Sequence, residues 1–267
     1  MGRSLRHIVH RLRASLRYRW EMVHRYVNFR WLVYVRSQTA TISSKSALIF
    51  SPHQDDETLG CGGIIASKRK RGVAVWVVFL TDGSACFREP CPLNAQEIAQ
   101  MRRQEAIAAL HILGVDASHI FFLEQPDQGL GDLAPQAHQQ VVAQIQHILQ
   151  QTKPAEVFVP HRHDNHPDHI ATCALVTEAL RQSKLSVEQW QYLVWGLWYP
   201  HWLKQVTKEE FDRLHRVPIH PVWREKQQAM RAYRSQYLPI APATSPVLPQ
   251  GFIRHFSSAY EVVVRVE

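Results

Sequence analysis

From residue 46 onward, short apolar runs alternate with longer stretches of helical period. "SALIFSP" (46–52) reads as a buried strand, followed by a helix over 59–71 that closes on Lys68, Arg69, Lys70, Arg71 and Gly72. "VAVWVVFLTDG" (73–83) is a second strand, and 94–115 a long helix with Asn94 as its N-cap and Gly114 past its end. The alternation continues with a strand at 119–125, a helix at 135–151 and a strand at 155–160. A helix then begins near Pro167, and "QYLVWGLW" (191–198) predicts a fifth strand. A helix at 224–236, a Pro-rich surface loop at 238–251 and a strand in "SAYEVVVRV" close the chain. Uninterrupted apolar strands alternating with helices imply an α/β fold, a mainly parallel sheet covered by helices on both faces.

The first 45 residues follow another pattern. Leu5, Ile8, Val9, Leu12, Leu16, Trp20, Val23, Val27, Trp31 and Tyr34 recur at steps of mostly three and four, with arginines on the remaining face. Residues 1–46 hold ten Lys or Arg against the single acid Glu21, a local charge of +9 in a chain whose total is +8. The rest of the chain is therefore near neutral, and the basic character belongs to the extension. Such a helix over 3–35 either lies on an anionic membrane surface or packs its apolar stripe on protein. No DNA- or RNA-binding motif accompanies the arginines, which argues against nucleic acid as a partner.

Composition excludes several classes. Hydrophobic residues make up 45% and charged residues 20%, which argues against disorder. No run of about 18 apolar residues suggests a membrane span. The basic N-terminus lacks the apolar core and cleavage site of a secretory signal, so the expectation is a cytoplasmic protein, peripheral on the inner face of the membrane if the helix binds lipid. Cys61, Cys86, Cys91 and Cys173 form no zinc-ribbon spacing and read as free thiols.

Chemistry concentrates in two clusters. "SPHQDDETLGCGG" (51–63) follows the first strand, and "PHRHDNHPDHIAT" (160–172) follows the fourth. In parallel sheets, sites collect at the carboxyl ends of strands. One strand end offers His and Asp and the other offers His, so together they could complete a catalytic site of nitrogen and oxygen ligands, zinc first among the candidates. Gly60, Gly62 and Gly63 let the backbone approach the metal and pack the following helix on the sheet, or mark a plain turn. His161 and His163 are competing ligands.

These residues resemble the LmbE-like, or PIG-L, family of zinc-dependent N-deacetylases acting on N-acetylglucosamine-containing substrates. The first family motif is matched by Pro52-His53-Gln54-Asp55-Asp56-Glu57 and Leu59-Gly60-Cys61-Gly62-Gly63, and the second by His166-Pro167-Asp168-His169. Softer matches are "TDG" at 81–83, Arg102 and Glu105, "QPDQGL" at 125–130, Lys226 and "YRSQ" at 233–236. Gln54 departs from the family, which usually has proline there, and a change in loop stiffness is expected. The resemblance implies that His53, Asp56 and His169 hold Zn2+ and that Asp55 is the general base. It further implies that a protonated His166, oriented by Asp168, stabilises the oxyanion. Arg102 and Asp127 resemble positions that contact the sugar, and Glu57 is expected behind the metal, orienting a zinc-bound histidine through its free ring nitrogen. Trp195, Trp198 and Trp202 read as core residues, with stacking on a sugar ring as the alternative.

The reading is a Rossmann-like deacetylase domain over 46–267 preceded by the basic amphipathic extension 1–45. Its function would be hydrolytic removal of acetyl from an N-acetylated amino sugar, with a lipid-linked glycoconjugate among the substrates in view. The alternatives are an amidase for a non-sugar N-acyl group and a non-catalytic membrane- or glycan-binding protein. Nothing in the chain specifies an oligomeric state.

Overall fold

The computed structural model describes residues 2–87, 91–199, 203–249 and 251–266, with side chains described from residue 16 onward. Its strands are β1 (Gln38–Thr39), β2 (Ala47–Ser51), β3 (Val75–Thr81), β4 (Ile120–Gln125), β5 (Glu156–Pro160), β6 (Glu188–Tyr192), β7 (Leu214–Pro218) and β8 (Tyr260–Arg265). They form one sheet in the order β1-β7-β8-β6-β5-β2-β3-β4. The run from β6 to β4 is parallel, and β8 lies antiparallel between β6 and β7.

The helices are α1 (Gly2–Trp31), α2 (Asp56–Lys70), α3 (Ala95–Ile112), α4 (Pro135–Thr152), α5 (Pro167–Ser183), α6 (Trp195–Trp198), α7 (Lys208–Asp212), α8 (Trp223–Met230), α9 (Arg234–Tyr237) and α10 (Phe252–His255). Every residue of β2 is buried because both faces of the sheet are covered. Leu48 and Phe50 join Val78, Val157 and residues of α4 and α5 in one core, while Ala47 and Ile49 join α2, α3 and α8 in the other. The Asn94–Glu97 capping box starts α3 at the expected residue.

Gly60 and Gly63 serve helix packing. A Cβ on Gly60 would lie 2.3 Å from the Tyr192 ring, and one on Gly63 2.5 Å from Ile219. Alongside them, the buried pair Lys226–Glu261 intrudes on α2. Lys226 donates to the Leu59 carbonyl at 2.8 Å, and Glu261 accepts from the amides of Gly63 (2.6 Å) and Ile64 (2.9 Å).

Three expectations change. The fifth strand ends at Tyr192, and 195–198 are helical. The carboxylate of Asp164 accepts the amides of Val194, Trp195 and Gly196, which turns the chain out of the sheet. The helix expected at 224–236 is split, because Tyr233 is drawn to Glu57 and Ser235 to Glu105. The Pro-rich segment is not wholly a surface loop, since Leu248 is buried.

Helix α1 runs into a wide π-type turn over Leu32–Arg36, tied to β7 where Arg216 donates to the carbonyls of Val33 and Ser37. Met22, Arg25, Phe29 and Leu32 face the body, and the guanidinium of Arg25 lies 4.4 Å over the Trp198 ring. The apolar stripe, where described, points away from the body: Leu16, Trp20, Val23 and Val27 are exposed. No described helix is long and apolar enough to cross a membrane.

Candidate metal centre and active site

The sheet order reverses direction between β5 and β2, whose carboxyl ends lie side by side. Such a switch point opens a crevice between the loops leaving the two strands. Both polar clusters occupy it.

The loop after β2 is pinned before α2 starts. The Pro52 carbonyl accepts from the amide and hydroxyl of Thr81, and the Gln54 side chain donates to the Thr81 carbonyl at 2.7 Å. Gln54 thus ties the loop by a hydrogen bond where proline would stiffen it by its ring. Gly83 takes a left-handed φ of 69°, and a Cβ there would also lie 2.2 Å from Gln54 Oε1. Asp55 takes a positive φ of 156°, a strained backbone for a residue with a side chain. Its amide is held by Glu57 Oε2 at 3.1 Å.

Asp56 is the first residue of α2, and its Oδ2 lies 3.0 Å from Nδ1 of His53 and 3.1 Å from Nε2 of His169. The opposite nitrogen of each ring meets another carboxylate. Nε2 of His53 is 3.1 Å from Asp168 and 3.2 Å from Asp127, and Nδ1 of His169 is 2.7 Å from Asp164. Ligands about 2.0–2.1 Å from a tetrahedral zinc stand about 3.3 Å apart, close to the spacing of Asp56 from both rings. Nε2 of His169 is buried and makes no hydrogen bond of acceptable geometry, although Asp56 is near. A ring nitrogen left so, facing a carboxylate, fits a cation ligand. Among the described residues, the groupings whose ligand atoms all fall within 4.8 Å of one another are His53 with His166 and His169, and His53 with Asp127 and Asp168.

Electrostatics separate the adjacent aspartates. Burial pushes the Asp55 carboxyl up to about 7, tempered by Arg102, whose Nη2 lies 3.5 Å from Asp55 Oδ1. Burial also opposes ionisation of Asp56, but His169 and His53 outweigh it and hold that carboxyl far below its ordinary value. Burial, with the neighbouring His53 and His169, pulls the His166 ring down to about 4, which favours its neutral form over the protonated one expected from sequence. Its Nδ1 accepts the backbone amide of Asp168 at 3.3 Å, leaving Nε2 to carry the proton.

Two positions differ from expectation in their contacts. The Asp168 carboxylate backs His53 and accepts the amides of Gln128 and Leu130, so it does not orient the His166 ring. Glu57 bonds the Asp55 amide, Thr58 and Tyr233 rather than a histidine nitrogen. Asp127 lies between His53 and the Ala85 amide and lines the cavity over the cluster. Asp164, given no role from sequence, is the residue behind His169, and its placement five residues before that histidine was the available signal. His161 and His163 stand apart from the groups above; His161 accepts the His163 amide and lies 3.8 Å from Glu210.

A cavity of about 150 Å³ opens over the cluster, lined by His53, Asp55, Arg102, His166, Trp195 and Leu248. Trp195 forms its wall beside His166, Trp198 is core, and Trp202 lies outside the described residues. Over this site, the PIG-L family model, described as GlcNAc-PI de-N-acetylase, matches residues 48–180. The chain belongs to the PIG-L family.

Two sequence relatives of this PIG-L chain are named as deacetylases. The 1D-myo-inositol 2-acetamido-2-deoxy-alpha-D-glucopyranoside deacetylase of Mycobacterium sp. (strain KMS) is 32% identical over 168 residues, 55% of this chain and 54% of the relative. The probable N-acetyl-alpha-D-glucosaminyl L-malate deacetylase 2 of Bacillus subtilis (strain 168) is 30% identical over 149 residues, 51% of this chain and 61% of the relative. The chain thus spans little more than half the length of either. The N,N'-diacetylchitobiose deacetylase of Pyrococcus horikoshii shares the fold, with a TM-score of 0.57 and 24% identity over 79% of this chain and 73% of that one.

Proposed function

We propose that this protein is a zinc-dependent hydrolase that removes the acetyl group from an N-acetylated amino sugar of the N-acetylglucosamine type. One observation carries the reading. Asp56 faces one nitrogen of His53 and one of His169, while Asp168 and Asp164 back the other two. Carboxylates behind ligating histidines fix ring orientation and raise ligand basicity. The set His53, Asp56 and His169 is preferred over the other groupings because it alone uses both backed rings and the carboxylate between them. The naming of both sequence relatives as deacetylases of glucosaminyl compounds supports the substrate class.

A cation held by these three residues would supply Lewis acidity to the acyl carbonyl and to the attacking water. Asp55, with its pKa raised to about 7, takes the proton of that water and returns it to the leaving amine. Arg102 donates to the Gln54 carbonyl at 2.6 Å and stands beside Asp55, holding the base in place. The Nε2–H of neutral His166 donates to the carbonyl oxygen as it gains charge, a contact worth about 3 kcal/mol in comparable sites. Trp195 and Leu248 offer an apolar wall to the sugar.

The test is acetate release from a panel of N-acetyl amino sugars by wild type and Asp55→Asn. The variant should keep its metal and lose about 10²–10⁴ in rate. Near-normal turnover would remove Asp55 from the mechanism, and an inert wild type across the panel would overturn the substrate class.

A further inference from the structure

The side of α1 that faces away from the body has no partner among the described residues, and its chemistry specifies one. Leu16 (64% exposed), Trp20 (70%), Val23 (56%) and Val27 (54%) stand on one line of the helix, which ends where Trp31 meets the Phe211 ring of the body. On a helical period this line lies opposite Met22, Arg25, Phe29 and Leu32, the residues that seat α1 on the body. The helix is therefore gripped on one side and apolar on the other, an arrangement that burial in this chain alone does not explain.

Charge identifies what covers it. Arg19 and Arg30 flank the stripe on one side and Arg17 on the other, within a segment of net charge +9. The segment's only acid, Glu21, is already shared between Arg17 (3.8 Å) and Arg25 (3.6 Å). A second copy of this helix would bring arginines against arginines with no carboxylate left to offset them. Beside the stripe, Arg30 and Arg254 line an open groove of about 340 Å³ together with Tyr26 and Tyr34. The complement is a surface that is apolar below and anionic above. We propose that α1 docks the protein on an anionic lipid bilayer, with Leu16, Trp20, Val23 and Val27 in the acyl boundary and the flanking arginines at the headgroups.

Trp and Tyr favour that interface, and each basic residue near an anionic leaflet contributes about 1 kcal/mol, which makes the attraction strongly salt-dependent. The body side of α1 determines what docking would position. Arg25 lies over Trp198, whose ring is 5.2 Å from that of Phe252, and Phe252 lines the cavity. Helix α1 and the cavity wall are thereby joined through two successive packed contacts.

The experiment is co-sedimentation of the full-length protein with phosphatidylcholine vesicles, with and without phosphatidylglycerol. Binding should require phosphatidylglycerol, weaken at least about tenfold from low to high salt, and shift Trp20 emission to the blue. Trp20→Ser/Val27→Ser, changed only at exposed positions, should lose vesicle binding about tenfold or more while keeping its circular dichroism spectrum. Wild type left in the supernatant with phosphatidylglycerol vesicles at low salt overturns the proposal. So does a dimer in sedimentation velocity that the double variant abolishes, or equal binding to vesicles of both compositions. None of these readouts depends on deacetylation.

Discussion

Asp164 stands directly behind His169, its Oδ2 2.7 Å from the ring's Nδ1, and the same carboxylate accepts the amides of Val194 and Gly196. One side chain thus fixes a candidate ligand and the turn that ends β6. Asp164→Asn keeps a similar shape but removes the charge, so metal affinity should fall about 10–100-fold. Competition with a chromogenic chelator measures it, and unchanged affinity would mean that His169 needs no support from behind.

Metal content tests the ligand set itself. Purified protein should hold about one divalent ion per chain, and His53→Ala or His169→Ala should lose it. Stripping the ion leaves Asp55, Asp56, Asp127 and Asp168 crowded in a buried site. Chelation should therefore lower the melting temperature and zinc restore it, by the equivalent of about 3–4 kcal/mol at a hundred- to thousand-fold excess over Kd. Equal metal in wild type and both variants would refute the assignment.

The Lys226–Glu261 pair predicts a pattern of non-additivity. Both side chains are about 1% exposed, so Lys226→Met leaves a buried, unpaired carboxylate at a cost of about 3–5 kcal/mol. Lys226→Met/Glu261→Gln removes that charge while retaining an acceptor for the Gly63 amide, and should recover part of the loss. Urea unfolding of the single and double variants reads the coupling, and simple additivity would show that the pair is not acting as one.

His255 sets a pH limit on the seat of α1. Its ring packs against Phe29 at 4.7 Å and against Trp198, and burial, with help from Arg25, pulls its pKa from 6.5 down to about 4. The folded state keeps this ring neutral where the unfolded chain would protonate it. The associated stability is complete above pH 6.5 and falls as pH drops towards 4, by at most about 3 kcal/mol. Hydrogen exchange in α1 should accelerate across that window, and His255→Asn should flatten the dependence.

Strands β2, β3 and β5 were legible because burial on both faces leaves them continuously apolar, and the Asn94–Glu97 cap marked its helix for a local reason. The two polar clusters were legible because each is contiguous in the chain. What escaped was set by contacts between distant segments. "LHRVP" carries too much polarity to announce β7, which forms by pairing with β8. The turn at 193–196 depends on Asp164, thirty residues earlier, and the break after Met230 on Glu57. The arginines of α1 illustrate the same limit, since period alone did not reveal that Arg25 would face inward onto Trp198.

The placement of the candidate ligands at the ends of β2 and β5 also orders events during folding. His53 and His169 approach only when Ala47 has paired with Glu156, a contact between remote parts of the chain whose closure is slow. Such a site cannot act as a template for early collapse, unlike a zinc finger whose ligands are neighbours in sequence. Refolding should proceed at the same rate with or without zinc in solution, and the ion should enter a protein that is already assembled.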